Sequence, residues 1–174
     1  FCPVLHLLVD SASGFEAGAA CEKQSGRGAA GALAQEELLV WGMMINCMKS
    51  GDRLAMMRNF VPHIDNWAVC DALAPKAFGR AGESDRVRGF AYECMDSPHL
   101  YTARFGVNCM RMYFLDEAFT PDVTERVAKV SGGYYLDMAA AWFFCDALIK
   151  RWDETLPYFE RGALAREVHI KAVR

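Results

Sequence analysis

The chain has 174 residues, enough for one domain with its own core, and it is 53% hydrophobic and 24% charged. This composition excludes a disordered chain, a collagen-like chain and a disulfide-rich miniprotein. The net charge of −3 means that a polyanionic partner would have to be bound by a local basic patch.

The residues of this chain predict neither a targeting signal nor a metal motif. No apolar run approaches the ~18 residues of a membrane-spanning helix, and the opening PVLHLLV lacks the basic flank of a signal peptide. The seven cysteines form no C-x-x-C pair, and a zinc site from Cys94, His99 and Cys109 would lack a fourth ligand. We expect reduced core thiols in a soluble, cytoplasmic protein that binds no metal and no membrane. Since a helical pattern is still running at Arg174, we expect a longer gene product.

Residues 1–32 are rich in glycine and alanine and are predicted to form a loop or a poorly ordered segment. Gly26, Gly28 and Gly31 spell G-x-G-x-x-G, and Asp52 lies near the position of a ribose-binding acid. No hydrophobic strand precedes the glycines, however, and no βαβ alternation follows them. We therefore interpret the motif as a linker and place the folded domain at 33–174.

From Leu33 onward the apolar spacing becomes helical. Ser97 before Pro98 and Thr120 before Pro121 are predicted N-caps, and the glycine pair at 132–133 is predicted to end a helix. Helices are predicted at about 33–49, 52–60, 66–78, 84–95, 98–119, 121–130, 134–152, 154–162 and from 165 to the end.

No segment shows sustained strand alternation, so the chain is predicted to be all-α. Helices that follow one another in pairs favour a stacked α-α solenoid, in which two-helix repeats run ~40 to 47 residues. The expected fold is a right-handed superhelical array of antiparallel helix pairs of the HEAT-like type.

Two segments carry candidate site residues. In IDNWAVCD, Trp67 and Asp71 stand four residues apart and share a helix face; the alternative is an exposed acid beside a partly buried indole. In YTARFGVNCMRMYFL, Arg104, Asn108 and Arg111 form one stripe, beside a second stripe of Phe105, Cys109 and Met112. The first stripe is either a solvated face or a set of phosphate ligands.

A third segment reads GYYLDMAAAWFFCDALIKRWDETLPYF. By pattern alone Trp142 belongs to a core stripe, while Lys150 complements the dipole of its helix or reaches a polyanion. Asp71, Arg104 and Trp142 are separated by 33 and 38 residues, close to one repeat step. Equivalent positions of successive repeats line the same wall of a solenoid, so these side chains are predicted to meet in a groove. The stripe comprises Tyr135, Met138, Trp142, Cys145 and Ile149.

With these residues the chain resembles the DNA alkylation repair family, the AlkD-like alkylpurine DNA glycosylases built from HEAT-like repeats. The resemblance covers about Leu33 to Arg174. It rests on EELLVWGM at 36–43, VPHIDNWAVCDAL at 61–73, RFGVNCMRMYFL at 104–115, YYLDMAAAWFFCDALIK at 134–150 followed by ETLPYF, and KAVR at the end.

The resemblance implies that Asp71 is the catalytic carboxylate and that Trp67 and Trp142 are aromatic walls around the lesion sugar. It further implies that Arg104 contacts the DNA backbone, and we expect Arg111 and Lys150 to bind phosphates as well. Asp137 departs from the family pattern, because members often carry Lys, Arg or Asn there.

The activity expected from the resemblance is hydrolysis of the N-glycosidic bond of N3- or N7-alkylated purines in double-stranded DNA, leaving an abasic site. No lysine neighbours the Trp67/Asp71 pair in the sequence, which favours a monofunctional glycosylase over a lyase. No small-molecule cofactor is expected, and we expect a monomer. The competing hypothesis is a non-catalytic HEAT-like scaffold for DNA or protein, with both indoles in the core and Asp71 structural. In a glycosylase, Trp67, Asp71 and Trp142 should all be at least partly accessible and should converge on one concave surface.

Overall fold

The computed structural model describes residues 33–48, 50–73 and 84–174, with the backbone alone at 50–52 and 73. Several features of the sequence lie outside these residues. They are the segment 1–32 with its G-x-G-x-x-G motif, Cys2 and Cys21, the side chain of Asp52, and the end of the helix predicted at 66–78. The proposed domain boundary at residue 32 therefore stays a prediction.

The described residues form helices and no strands, which confirms the all-α prediction. A short 3-10 helix at Val61–His63 links the second and third α-helices. The α-helices are α1 (Gln35–Cys47), α2 (Ser50–Phe60), α3 (Trp67–Leu73), α4 (Ser84–Met95), α5 (Leu100–Tyr113), α6 (Pro121–Ala128), α7 (Tyr134–Lys150), α8 (Trp152–Glu160) and α9 (Arg166–Ala172).

Helix α5 lies at the centre of the core, and every residue from Thr102 to Met110 is buried. It packs against α3, α4 and α7. Gly106 permits the close approach of α4, since a Cβ at this position would lie 2.5 Å from the carbonyl oxygen of Ala91 and 2.7 Å from Cγ of Met95. Because this part of α5 has no exposed face for about two and a half turns, it has no solvated stripe. Its polar side chains must therefore find partners inside the protein.

Two helix ends differ from the prediction. Helix α5 begins at Leu100 and not at Pro98, because the ring of His99 accepts a hydrogen bond from the Thr102 amide at 3.3 Å and caps the helix. Gly133, with a φ of 99°, is the residue that precedes α7. It therefore starts the following helix, and α6 already ends at Ala128.

The core face of α7 was predicted wrongly from the apolar pattern. Trp142, Cys145 and Ile149 are exposed, whereas the buried face carries Phe143, Phe144 and Ala147 with several alanines. The helix is apolar on almost all sides, so periodicity alone did not identify the face that packs. Trp142 is therefore an exposed residue of this helix and not part of the core.

The five described cysteines are free thiols. Cys70, Cys94 and Cys109 are buried as predicted, whereas Cys47 and Cys145 are exposed. Within residues 33–48, 50–73 and 84–174, no three His, Cys, Asp or Glu side chains are grouped so that they could hold a metal ion. Nor does any helix in that part of the chain have the length and apolar character required to cross a membrane.

Candidate active site

Asp71 and Trp67 lie on the short helix α3, one turn apart. The side chain of Asn66 caps this helix by accepting a hydrogen bond from the Val69 amide at 2.9 Å. Val69 and Cys70 are completely buried and hold the helix against the core. The opposite side of α3 therefore presents the carboxylate and the indole toward the surface.

The carboxylate of Asp71 is paired with the buried guanidinium of Arg104 from α5. Nε of Arg104 donates to Oδ1 at 2.8 Å, and Nη2 donates to Oδ2 at 2.6 Å. This two-pronged geometry fixes the carboxylate in orientation as well as in position. Arg104 is only 2% exposed, while the Asp71 side chain keeps 25% of its surface accessible.

Asn108, one turn after Arg104, supplies a third hydrogen bond to the same carboxylate. Its Nδ2 donates to Oδ1 of Asp71 at 2.8 Å and lies 3.9 Å from Sγ of Cys70. Oδ1 of Asp71 consequently accepts two hydrogen bonds, and Oδ2 accepts one. The less engaged oxygen, Oδ2, retains more capacity to accept a hydrogen bond from a water or a substrate.

Trp142 joins this group from α7. The guanidinium carbon of Arg104 lies 5.0 Å from the centre of the indole, and Nη1 of Arg104 donates to the backbone carbonyl of Tyr135 on the same helix. We call Asp71, Arg104, Asn108 and Trp142 the Asp71 cluster. It joins helices α3, α5 and α7 through one buried arginine.

The three side chains assigned to catalysis from the sequence are all partly accessible. Trp67 is 51% exposed and Trp142 is 37% exposed, so neither indole is a core residue. Asp71 and Trp142 are both neighbours of Arg104, and Trp67 lies one helical turn from Asp71. An acid and one indole therefore lie beside the buried cation, and a second exposed indole, Trp67, lies one helical turn from the acid.

A family model with the description DNA alkylation repair enzyme matches residues 35–132, more than half of the chain. The chain belongs to the DNA alkylation repair enzyme family. This confirms the resemblance inferred from the sequence and makes the protein a DNA repair enzyme whose substrate class is DNA. Searches of the curated proteins and of the solved structures gave no significant match.

The family match includes most of the Asp71 cluster but not all of it. Trp67, Asp71, Arg104 and Asn108 lie inside the matched range, whereas Trp142 lies ten residues beyond its end at residue 132. The place of Trp142 in this repair enzyme accordingly rests on its contact with Arg104.

The cations predicted to contact DNA are each paired with a carboxylate. Nε of Arg111 donates to Oδ2 of Asp146 at 2.7 Å, and Nζ of Lys150 donates to Oδ2 of Asp116 at 2.6 Å. Both cations are partly exposed and can exchange a carboxylate for a phosphate. Arg104 differs, because its burial and its hydrogen bonds leave no accessible donor for the backbone of DNA.

An open depression of about 200 Å³ adjoins the Asp71 cluster and is lined by Arg111, Trp142, Cys145 and Asp146. The guanidinium carbon of Arg111 lies 5.6 Å from the indole centre of Trp142. The guanidiniums of Arg104 and Arg111 thus both lie within cation–π distance of the Trp142 indole.

The Cys70 thiol, next to Asp71 in the chain, and the Tyr101 phenol both have raised pKa values. Burial, and next the charge of Asp71, raise the pKa of the Cys70 thiol well above its ordinary range. Burial also raises the pKa of the Tyr101 phenol. A thiol that is buried and neutral is a poor nucleophile.

Three features of the site were missed at the sequence level. Asn108 was placed beside Arg104 on one helix face, but its bond to Asp71 was not foreseen. The pairing of Arg111 with Asp146 was not foreseen, and neither was the hydrogen bond from Arg104 to the backbone carbonyl of Tyr135. The i, i+4 spacing of Arg104 and Asn108 was an available signal, because two polar residues at this spacing on a buried helix share a partner.

Asp137, which departs from the family pattern, lies on α7 one turn before Ala141. Its side chain is half-buried, and Oδ1 is enclosed without a hydrogen-bond partner among the described residues.

Proposed function

We propose that this DNA repair enzyme is a monofunctional alkylpurine DNA glycosylase. It hydrolyses the N-glycosidic bond of N3- or N7-alkylated purines in double-stranded DNA and leaves an abasic site. The observation that supports this function best is the Asp71 carboxylate, which is accessible to solvent and held in one orientation by three hydrogen bonds. Trp67 lies one helical turn from this acid, Trp142 contacts the arginine that pairs with it, and both indoles are partly exposed.

The chemistry of the lesion explains why such a site suffices. Alkylation at N3 or N7 gives the purine a positive charge, so the base leaves as a neutral molecule when it takes the electron pair of the glycosidic bond. Positive charge then develops on the deoxyribose, and water adds to C1′ while its proton passes to Asp71 or to solvent. A strong general acid for the leaving group is unnecessary.

Asp71 would stabilise the developing charge, although Arg104 offsets part of its effect. A carboxylate oxygen ~4 Å from a cation contributes about 4 kcal/mol at an effective dielectric near 20. A guanidinium roughly twice as far away opposes this by about 2 kcal/mol, which leaves about 2 kcal/mol in favour of the transition state. Arg104 thus acts in the proposal as a positioning residue, in place of the phosphate contact expected from the sequence.

Trp67 and Trp142 are proposed to flank the lesion nucleoside. The face of an indole carries negative quadrupole density, so the Trp67 ring would contribute ~0.5 to 2 kcal/mol to binding a cationic nucleoside when water is excluded. The Trp142 ring already contacts two guanidiniums, so it would contribute less to binding that cation. Because the indoles are not reactive, they would bind the charge without entering the chemistry.

Arg111 and Lys150 remain the proposed phosphate contacts. Each must give up a carboxylate partner to bind DNA, so the net gain per contact is smaller than for an unpaired cation. Affinity should still fall as salt rises, since phosphate binding releases counterions.

The proposed fold is a HEAT-like right-handed superhelix of antiparallel helix pairs, acting as a monomer without a cofactor. Its support is the succession of helices joined by short connections and the spacing of Asp71, Arg104 and Trp142 near one repeat step. Their meeting around Arg104 is what such a repeat would produce.

The test is release of free base from duplex DNA that contains an N7- or N3-alkylated purine. The proposal predicts free alkylpurine, an abasic strand that breaks only after alkali treatment, and no covalent protein–DNA adduct after borohydride. Specific binding of the duplex without base release would favour the non-catalytic scaffold. A borohydride-trapped adduct would replace the monofunctional mechanism with a lyase that forms a Schiff base.

A further inference from the structure

Three tyrosines that the proposed chemistry does not use form a continuous row of rings. The Tyr101 and Tyr135 rings are 6.0 Å apart between centres, and the Tyr134 ring meets Tyr135 edge-on at 5.3 Å. We call Tyr101, Tyr135 and Tyr134 the tyrosine stripe. Tyr134 is 64% exposed and Tyr135 is 39% exposed, so much of this aromatic surface faces solvent.

The stripe is continuous with the Asp71 cluster. The backbone carbonyl of Tyr135 accepts a hydrogen bond from Nη1 of Arg104, and the carbonyl of Tyr101 is 3.6 Å from Sγ of Cys70, the neighbour of Asp71. Tyr135 is therefore tied through its backbone to the arginine that holds the carboxylate, and Tyr101 is tied to the residue that precedes Asp71. Tyr101 and Tyr135 also lie on α5 and α7, the helices that carry Arg104 and Trp142.

The far end of the stripe carries a positive charge. Nζ of Lys171, from α9, lies 4.1 Å from the centre of the Tyr134 ring. The rings can stack on flat bases, and the ammonium group can bind a phosphate. The stripe therefore suits a ligand in which bases are joined by phosphates. Exposed aromatic rings bind such bases by stacking, with little dependence on sequence.

We propose that the tyrosine stripe stacks unpaired nucleotides next to the lesion, so the protein binds DNA with unpaired nucleotides more tightly than a fully paired duplex. Bases in an intact duplex already stack on one another and offer no free face to a tyrosine ring. The inference rests on the proposed function, since it takes the Asp71 cluster as the place where DNA is bound.

The experiment compares two fluorescently labelled, unmodified duplexes, one fully paired and one with a central bulge of unpaired thymidines. Fluorescence anisotropy should show tighter binding of the bulged duplex by the wild-type protein. Tyr135→Leu should weaken binding of the bulged duplex roughly tenfold, which equals about 1.4 kcal/mol, and leave the paired duplex almost unaffected. The substitution keeps the backbone carbonyl that Arg104 uses.

Three variants complete the design. Tyr135→Phe keeps the ring and should retain the preference for the bulge. Tyr134→Leu changes a mostly exposed side chain, so it should fold normally and reduce the preference. Trp152→Leu removes an exposed aromatic ring beyond the opposite end of α7 and should have no effect. Equal binding of both duplexes by the wild type, or an undiminished preference in both leucine variants of the stripe, would overturn the inference.

The unmodified duplexes contain no alkylated base, so this experiment is independent of catalysis. If the preference for the bulge is missing while base release occurs, only the tyrosine stripe inference fails. If the preference is present while no base is released, the glycosylase proposal fails and the stripe remains a DNA-binding surface.

Discussion

Arg104 and Asp71 form a two-pronged ion pair between α5 and α3, with hydrogen bonds of 2.8 Å and 2.6 Å. The arginine is almost completely buried, whereas the acid is accessible at one side. Burial of a guanidinium is unfavourable unless a carboxylate compensates its charge, so the position of Asp71 is a condition for the stable packing of α5.

The first prediction concerns the stability of this pair. Asp71→Asn leaves a buried guanidinium without its carboxylate and should lower the free energy of unfolding by roughly 2 to 3 kcal/mol, less than for a fully enclosed pair. Adding Arg104→Met to Asp71→Asn should restore part of the loss, because no buried charge then remains. Urea unfolding of the two variants measures both effects. With Arg104→Met also measured alone, a loss in the double variant equal to the sum of the two single losses would show that the side chains are not coupled.

A second prediction assigns Asn108 a positioning role. Asn108→Ala removes the third hydrogen bond to Asp71, so the carboxylate loses its fixed orientation while the DNA contacts stay unchanged. We expect kcat for base release to fall about tenfold and the Kd for lesion DNA to stay the same. Asn59→Ala, at an exposed position on α2, is the matched control. A rise in Kd with unchanged kcat would instead give Asn108 a binding role.

The contact between α4 and α5 yields a third prediction. Gly106→Ala would place a methyl group 2.5 Å from a backbone carbonyl, and the helices would have to separate; a loss of about 1 to 3 kcal/mol is expected. Gly89→Ala lies on α4 with nothing within 4 Å and should stabilise the protein by about 0.5 to 1 kcal/mol. Thermal unfolding compares the two. Equal stability of both variants would contradict the tight contact.

A fourth prediction uses pH. Hydrogen bonds from Thr120 and Tyr92 hold the pKa of Asp122 below its ordinary value of 3.8; the Tyr92 phenol is 2.6 Å away. A carboxyl whose pKa is lower in the folded than in the unfolded state stabilises the protein at pH values above its unfolded-state pKa. This stabilisation is lost as the pH falls through the folded-state pKa. Asp122→Asn should therefore destabilise the protein at neutral pH by less than about 1 kcal/mol, since the group is exposed.

The pH dependence of that difference distinguishes an ionic contribution from simple packing. The gap in unfolding free energy between wild type and Asp122→Asn should close as the pH is lowered from about 5 to about 2. Glu117→Gln, at an exposed position between α5 and α6, should show no such closing gap. A gap that is constant with pH would mean that the charge of Asp122 does not matter.

The sequence predicted the helices well where one face was clearly apolar. Helix α4 occupies 84–95 as predicted, because Val87, Phe90, Ala91 and Cys94 repeat at helical spacing between polar residues. Helix α7 shows the limit of this reasoning. Its sequence is apolar around the whole circumference, so the exposed position of Trp142 depends on which neighbours pack against it.

The candidate site was predictable in its members but not in their roles. The spacing of Asp71, Arg104 and Trp142 indicated that they meet. In the structure, Asp71 and Trp142 both contact the guanidinium of Arg104. The burial of Arg104 was not predictable, because it depends on the packing of α3 and α7 against α5. An arginine enclosed in this way holds an acid, and the same residue on an open face would bind phosphate.

The most direct test of the catalytic proposal is the single-turnover rate of alkylpurine release by the wild type, Asp71→Asn and Asp146→Asn. Loss of the carboxylate removes about 4 kcal/mol of attraction for the developing cation, so Asp71→Asn should be slower by about a thousandfold. The double variant Asp71→Asn with Arg104→Met should recover to within about thirtyfold of the wild type, since the repulsion from the guanidinium is gone. Asp146→Asn should remain within about tenfold, because that acid pairs with Arg111 and not with the reacting sugar. Base release by folded Asp71→Asn at the wild-type rate would contradict the account.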